Sequence, residues 1–150
     1  MMKLMQKLWS VALLVSLLFV GCDNETERND KPVAAVTYYL MNGSWQLTEL
    51  NGDALAEETY MYVEFNRTEH SFDIFTNIGS MYGRHTTGIF VIEQDEYENY
   101  ILSGSYDNGV GDWNDSYRVE AAEGGEKMLW QGKTTNEYMT FERIESIPEI

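Results

Sequence analysis

The sequence predicts an all-β domain, folded as an eight-stranded antiparallel up-and-down barrel. Eight short runs rich in aromatic and β-branched residues follow one another at hairpin spacing, at 45–50, 60–66, 72–77, 88–94, 100–106, 117–121, 128–133 and 138–144. Turns rich in Asn, Asp and Gly separate these runs, and the two prolines, Pro32 and Pro148, lie outside all of them. Closure into a barrel would leave no sheet edge exposed.

Side-chain alternation along the runs predicts a common inner face. Every second residue of a strand points to the same side of its sheet. This spacing places six large aromatic residues inside the barrel: Trp45, Phe65, Phe72, Phe90, Trp130 and Phe141. Because an eight-stranded barrel has room for side chains or for one small ligand, we expect these rings to fill most of the interior.

Residues 1–21 have the pattern of a cleaved signal peptide. Lys3 and Lys7 precede a largely apolar stretch over 8–20, which is shorter than the roughly 20 residues that a membrane-spanning helix needs. The stretch 18–22 resembles the lipobox of bacterial lipoproteins, in which a small residue precedes a lipidated cysteine. The resemblance implies that Cys22, the single cysteine of the chain, carries acyl chains such as palmitate and anchors an outer-membrane lipoprotein in the cell envelope.

Residues 22–32 are predicted to form an acidic, disordered tether. After Cys22 this segment contains no apolar residue that could join a core. An acidic stretch behind the lipidated cysteine is similar to the surface-export signal of Bacteroidota lipoproteins, although a solvated linker would have the same composition. The barrel domain then spans 33–150, and Val33, Val36, Tyr39 and Leu40 predict a short helix or turn at its start.

Two family resemblances concern the barrel itself. Gly43-Ser44-Trp45 resembles the G-x-W motif of lipocalins, and residues 43–144 are similar to the lipocalin-like domains of Bacteroidota lipoproteins through Gly88-Ile89-Phe90 and the closing run 138–143. This resemblance implies that Gly43 and Trp45 close the base of the barrel and that Arg143 packs over Trp45 by a cation–π contact. A second resemblance links 45–52 to META-type envelope domains.

The charge of the chain argues against nucleic-acid partners. The formal net charge is −15, and removal of residues 1–21, which hold Lys3 and Lys7 but no acid, would change it to −17. Such a surface repels phosphate backbones. A basic protein partner remains compatible with it.

No pattern in the sequence predicts catalysis. His70 and His85 lack the spacing of a metal site, and the chain contains no G-x-S-x-G nucleophile elbow and no glycine-rich phosphate loop. Carboxylates are abundant everywhere, so no pair is distinguished as a general acid and base. We therefore expect a protein that is not an enzyme and uses neither a cofactor nor a metal.

The loop 107–115 carries the strongest sign of binding. Trp113 lies at its centre, and Tyr106 ends the preceding run. An exposed Trp can stack on a sugar or anchor a partner, but Trp113 could equally fold back over the barrel mouth. The sequence thus predicts a non-catalytic binding protein with a small apolar or glycan ligand at the barrel rim, near Tyr106 and Trp113. The alternative is an acidic interaction or inhibitor module for a basic envelope or host protein such as a lysozyme.

The lipid anchor can be tested with Cys22→Ser. In a Bacteroidota host, the wild type should fractionate with membranes and carry acyl mass on Cys22, because several acyl chains on one residue give firm membrane binding. The Cys22→Ser protein should be released, and Ser16→Ala, within the apolar stretch, serves as a control that keeps the cysteine. Equal solubility of wild type and Cys22→Ser would refute the lipoprotein hypothesis.

Overall fold

A computed structural model of the chain describes residues 33–150 and confirms the eight-stranded antiparallel barrel. The predicted signal peptide, Cys22 and the tether lie outside the described residues. None of the helical segments within 33–150 has the length and apolar character needed to cross a bilayer.

The chain enters the barrel through a two-residue strand and a single helical turn. Strand β1 (Val33–Ala34) pairs with Ala121 and Ala122, which end a later strand of the barrel, and helix α1 (Tyr38–Met41) follows β1. The prediction of one short helix from residue 33 is therefore wrong for its first half. The helix begins only after Thr37, because the Thr37 hydroxyl accepts a hydrogen bond from the Leu40 amide at 3.1 Å and caps the first turn.

Ten further strands and one 3-10 helix follow in chain order. They are β2 (Gly43–Leu50), β3 (Asp53–Ala54), β4 (Met61–Asn66), β5 (Ser71–Thr76), β6 (Arg84–Gln94), β7 (Tyr100–Tyr106), a 3-10 turn (Asp107–Gly109), β8 (Gly111–Asp112), β9 (Tyr117–Ala122), β10 (Lys127–Gly132) and β11 (Tyr138–Ile144). The eight predicted runs correspond to the eight longer strands. Sequence reasoning missed the two-residue strands β1, β3 and β8, which are too short to show alternation.

The eight longer strands close into a ring. Strands β2, β4, β5, β6, β7, β9, β10 and β11 pair as antiparallel neighbours in this order, and β11 returns to pair with β2. We call the end where β2 begins and β11 finishes the base, and the end near Leu50 and Tyr138 the mouth. Helix α1 lies at the base, where Met41 is fully buried.

The interior is filled at the base and hollow at the mouth. All six predicted aromatic residues are buried, with ring centroids 4.7 Å apart for Phe65 and Phe90 and 4.5 Å apart for Trp130 and Phe141. At the mouth, however, a cavity of about 360 Å³ remains. The expected filled interior is wrong for this half, because one wall there carries Leu, Met, Ile and Thr side chains, which are too small to reach the opposite wall.

Gly43, Trp45 and Arg143 meet at the base. The Arg143 guanidinium carbon lies 4.2 Å from the centroid of the buried Trp45 ring, and the two residues are direct partners across β2 and β11. Gly43 adopts a φ of +111°, and a Cβ on it would crowd the Arg143 Nη1 at 3.1 Å. Glycine is therefore required there both for its backbone conformation and for the close approach of the guanidinium.

Arg143 also satisfies the carbonyl groups that end helix α1 and the β9–β10 turn. Its guanidinium donates to the carbonyl oxygens of Leu40 (2.6 Å), Asn42 (2.8 Å) and Gly125 (3.0 Å). The Trp45 indole donates to the Met41 carbonyl at 2.8 Å. These bonds pair backbone acceptors at the helix end that the helix itself cannot pair.

The base can be tested by a double-mutant cycle. Trp45→Ala should lower the free energy of unfolding by about 3–5 kcal/mol, as for other buried large aromatics. Arg143→Ala should cost less, and the double variant should cost less than the sum, since both changes remove the same contact. Urea denaturation measures all three values.

Arg118→Ala is the matched control for this cycle, because Arg118 lies on the outer surface in an exposed pair with Glu120. It should be nearly silent and additive with Trp45→Ala. Additive costs for Trp45 and Arg143 would show that the observed stacking contributes no coupling energy.

Candidate functional site

The mouth cavity is the candidate site. All eight barrel strands contribute side chains to it, together with the loops that join them. One wall is aliphatic and comes from β2, β4, β5, β11 and the loop after β5: Leu47, Leu50, Met61, Ile74, Ile78 and Met139. The facing wall is aromatic and comes from β7, β9, β10 and the segment after β8: Tyr106, Trp113, Tyr117 and Trp130.

Both predicted ligand-binding residues, Tyr106 and Trp113, line this cavity, but Trp113 is not exposed on a loop tip. Its ring packs on Phe72 at 5.0 Å and on Trp130 at 6.1 Å between centroids. Of the two positions left open by the sequence, the structure has Trp113 folded back against the barrel. The reason is an apolar contact surface on the core that is available only after the strands have assembled.

Trp113 fills a gap in the barrel wall. Strands β7 and β9 pair only over Tyr100–Leu102, and above Leu102 they separate. Strand β8 pairs with the upper part of β7 instead, and the Trp113 amide then donates to the Gly104 carbonyl at 2.8 Å. A Cβ on Gly104 would collide with the Trp113 indole, so the ring lies where only a glycine leaves room.

The indole N–H of Trp113 has no hydrogen-bond partner. Its Nε1 atom is buried, and among residues 33–150 no acceptor reaches it. A buried Trp N–H usually finds a partner, and leaving such a donor unpaired costs about 1–3 kcal/mol. The wall of the cavity therefore holds one unused donor, next to the aromatic face.

Asp115 holds the loops around the mouth together. Its carboxylate accepts hydrogen bonds from the amides of Ser116, Thr134 and Thr135 and from the Thr135 hydroxyl, at 2.8–3.1 Å. Desolvation alone would raise the pKa of Asp115, but these bonds outweigh it and lower the pKa to about 2. The charged carboxylate thus connects the segment behind Trp113 to the β10–β11 turn.

Polar groups at the mouth are few. Burial, with the charges of Glu137, Asp115 and Tyr106 adding to it, raises the pKa of Tyr117 to about 12, so its hydroxyl stays protonated. Arg84 donates to the Ile78 carbonyl at 2.7 Å. Glu137 and Asn114 complete the polar lining beside Thr76.

The histidines lie away from the cavity and from each other. His85 binds Asp73 at 2.7 Å on the outer surface, where their side chains are 48% and 41% exposed, and His70 stacks on Tyr38 at the base, 3.8 Å between ring centroids. Within residues 33–150 no group of three or more His, Cys, Asp or Glu side chains could hold a metal ion. The cavity is therefore lined by apolar surface and a few hydrogen-bonding groups.

Sequence reasoning missed Gly104, Asp115, Arg84 and Glu137 as parts of this site. Only Gly104 could have been identified from the sequence, since an isolated glycine inside a strand often marks the close approach of another group. The other three are ordinary charged residues in an acidic chain, and their positions depend on how the loops fold together.

Comparison of the chain with protein-family models, with curated proteins and with solved structures found no match. The function of this protein must therefore be inferred from the geometry of the mouth.

Asp115→Asn should destabilise the protein by about 1–3 kcal/mol at pH 7, because an amide offers donors where the loop amides need acceptors. The folded-state pKa is about 2, below the usual 3.8, so the stability from the carboxylate is present above about pH 4 and is lost as the pH falls towards 2. Urea unfolding at pH 7, 4 and 2.5 should show the difference between wild type and variant shrinking.

Asp53→Asn is the control, because Asp53 is exposed on the short strand β3. It should have little effect at any of these pH values. A deficit for Asp115→Asn that stays constant from pH 7 to 2.5 would mean that the charge of the carboxylate is not its source.

Proposed function

We propose that this protein is a non-catalytic, lipid-anchored binding protein of the cell envelope that takes a small apolar ligand into the mouth of its barrel. The observation that carries the proposal is the 360 Å³ cavity, lined by aliphatic side chains on one wall and aromatic side chains on the other. Ligand pockets of proteins span roughly 300–1,000 Å³ and are mostly apolar with a few polar groups. The mouth cavity has this size and this composition.

Ligand binding in the mouth cavity would bury apolar surface that the folded barrel leaves uncovered. Ten of the fourteen lining residues are apolar or aromatic, and burial of apolar surface contributes about 25 cal/mol per Å². The walls are strands of a closed barrel, so the cavity exists before a ligand arrives. Little affinity is then lost in ordering the site.

The chain enters the barrel at its base. Val33 pairs with Ala122 at the base end of β9, so the segment that would connect the barrel to Cys22 joins it at the base. The mouth lies at the other end of the strands. An anchor on Cys22 would therefore be joined to the barrel by the chain end opposite the mouth.

The cavity can be tested with N-phenyl-1-naphthylamine, an uncharged apolar fluorophore. The full chain carrying Cys22→Ser should bind it with enhanced emission, and Ile78→Trp should weaken binding about ten-fold or more, because the larger ring occupies the cavity. Val91→Trp, the same kind of change on the outer wall, should bind normally. Thermal unfolding checks that both variants fold.

Undiminished binding by Ile78→Trp would place the apolar site elsewhere. Absence of probe binding, together with lysozyme binding that fades as salt rises, would replace the proposal with the acidic inhibitor module.

A further inference from the structure

A second hollow lies outside the barrel wall, next to the mouth cavity. It measures about 380 Å³ and follows the gap between β7 and β9. We call it the outer groove; besides Trp113 its lining is almost entirely polar or glycine: Ser103, Gly104, Ser105, Asp112, Asn114, Asp115, Ser116 and Thr134. Its chemistry is the opposite of that of the mouth cavity.

Most of these polar groups are free to bind something else. Ser105 donates to Asp112 at 2.6 Å, and Asp115 is occupied by the loop amides. In contrast, the side chains of Ser103, Asn114, Ser116 and Thr134 have no hydrogen-bond partner among the described residues. Hydroxyl and amide groups that both donate and accept suit a ligand rich in hydroxyls.

The charges favour a neutral ligand group in the outer groove. Asp112 and Asp115 are the charged residues that line it, and the whole chain carries a formal charge of −15. A carboxylate or phosphate placed here would be repelled. A sugar-like head group meets no such penalty.

Trp113 and Asn114 belong to both hollows and form the ridge between them. The unpaired Nε1–H of Trp113 is buried in this ridge. An oxygen atom of a ligand at this ridge would be the acceptor that this donor lacks. That would remove the cost of leaving it unpaired.

We propose that the ligand is an uncharged amphiphile, with its apolar body in the mouth cavity, its hydroxyl-rich head in the outer groove and the oxygen that links them beside Trp113. An alkyl glycoside or a glycolipid has this chemistry. The inference rests on the proposed function, since the apolar body needs the mouth cavity, and it adds the identity of the head group.

The test compares three ligands that share an unbranched chain of eight carbons, by titration calorimetry below their micelle concentrations, on the full chain carrying Cys22→Ser. They are 1-octanol, octyl glucoside and octanoate, which differ only in their polar ends. Octyl glucoside should bind about ten-fold or more tightly than 1-octanol, and octanoate should bind more weakly than both. Ser103→Ala and Thr134→Ala should each lower glucoside affinity about 2- to 10-fold and leave octanol unchanged.

Ser146→Ala is the matched control, because Ser146 is an exposed serine just after β11, at the base of the barrel and far from the outer groove. Trp113→Phe, which keeps a ring but removes the N–H, should lower affinity for the glucoside more than for octanol.

Equal binding of octanol and octyl glucoside would overturn the head-group assignment and leave the proposed function standing. Tightest binding of octanoate would overturn it too, in favour of Arg84 as the head-group partner. Failure of all three ligands to bind would refute the proposed function itself.

Discussion

Arg143 joins parts of the chain that are far apart in sequence, and the closed barrel depends on this junction. Its guanidinium stacks on Trp45 and pairs with the carbonyls of Leu40, Asn42 and Gly125. It therefore connects β11 to β2, to the helix that covers the base and to the β9–β10 turn. A planar group with five donors can do this, whereas an ammonium could not stack and bridge in the same geometry.

Because the base is packed, the mouth can be hollow. Trp45, Phe65, Phe90 and Phe141 are fully or almost fully buried in the lower half of the barrel. Their burial supplies hydrophobic stabilisation that does not depend on the other end of the barrel. The strands can then carry Leu, Met and Ile at the mouth without filling it, and the cavity persists as part of the native structure.

The wall between β7 and β9 depends on one residue, Trp113. The strands separate above Leu102, where their hydrogen-bonded pairing ends. The Trp113 side chain fills the gap between them and packs against Gly104. The Asp115 carboxylate then holds the following loop to Thr134 and Thr135. This arrangement brings an apolar cavity and a polar groove to the two sides of a single indole ring.

The sequence by itself determined the strands and the inner aromatic face, because period-two alternation and turn residues are local properties of the chain. It also brought out Gly43, Trp45 and Arg143 through a short motif and a late arginine. Only the tertiary structure decided where Trp113 lies, since its position depends on β7 and β9 separating and on Gly104 leaving room. It likewise decided that the mouth is hollow. A cavity is the difference between the space enclosed by eight strands and the volume of the side chains that point into it, and no local pattern contains that difference.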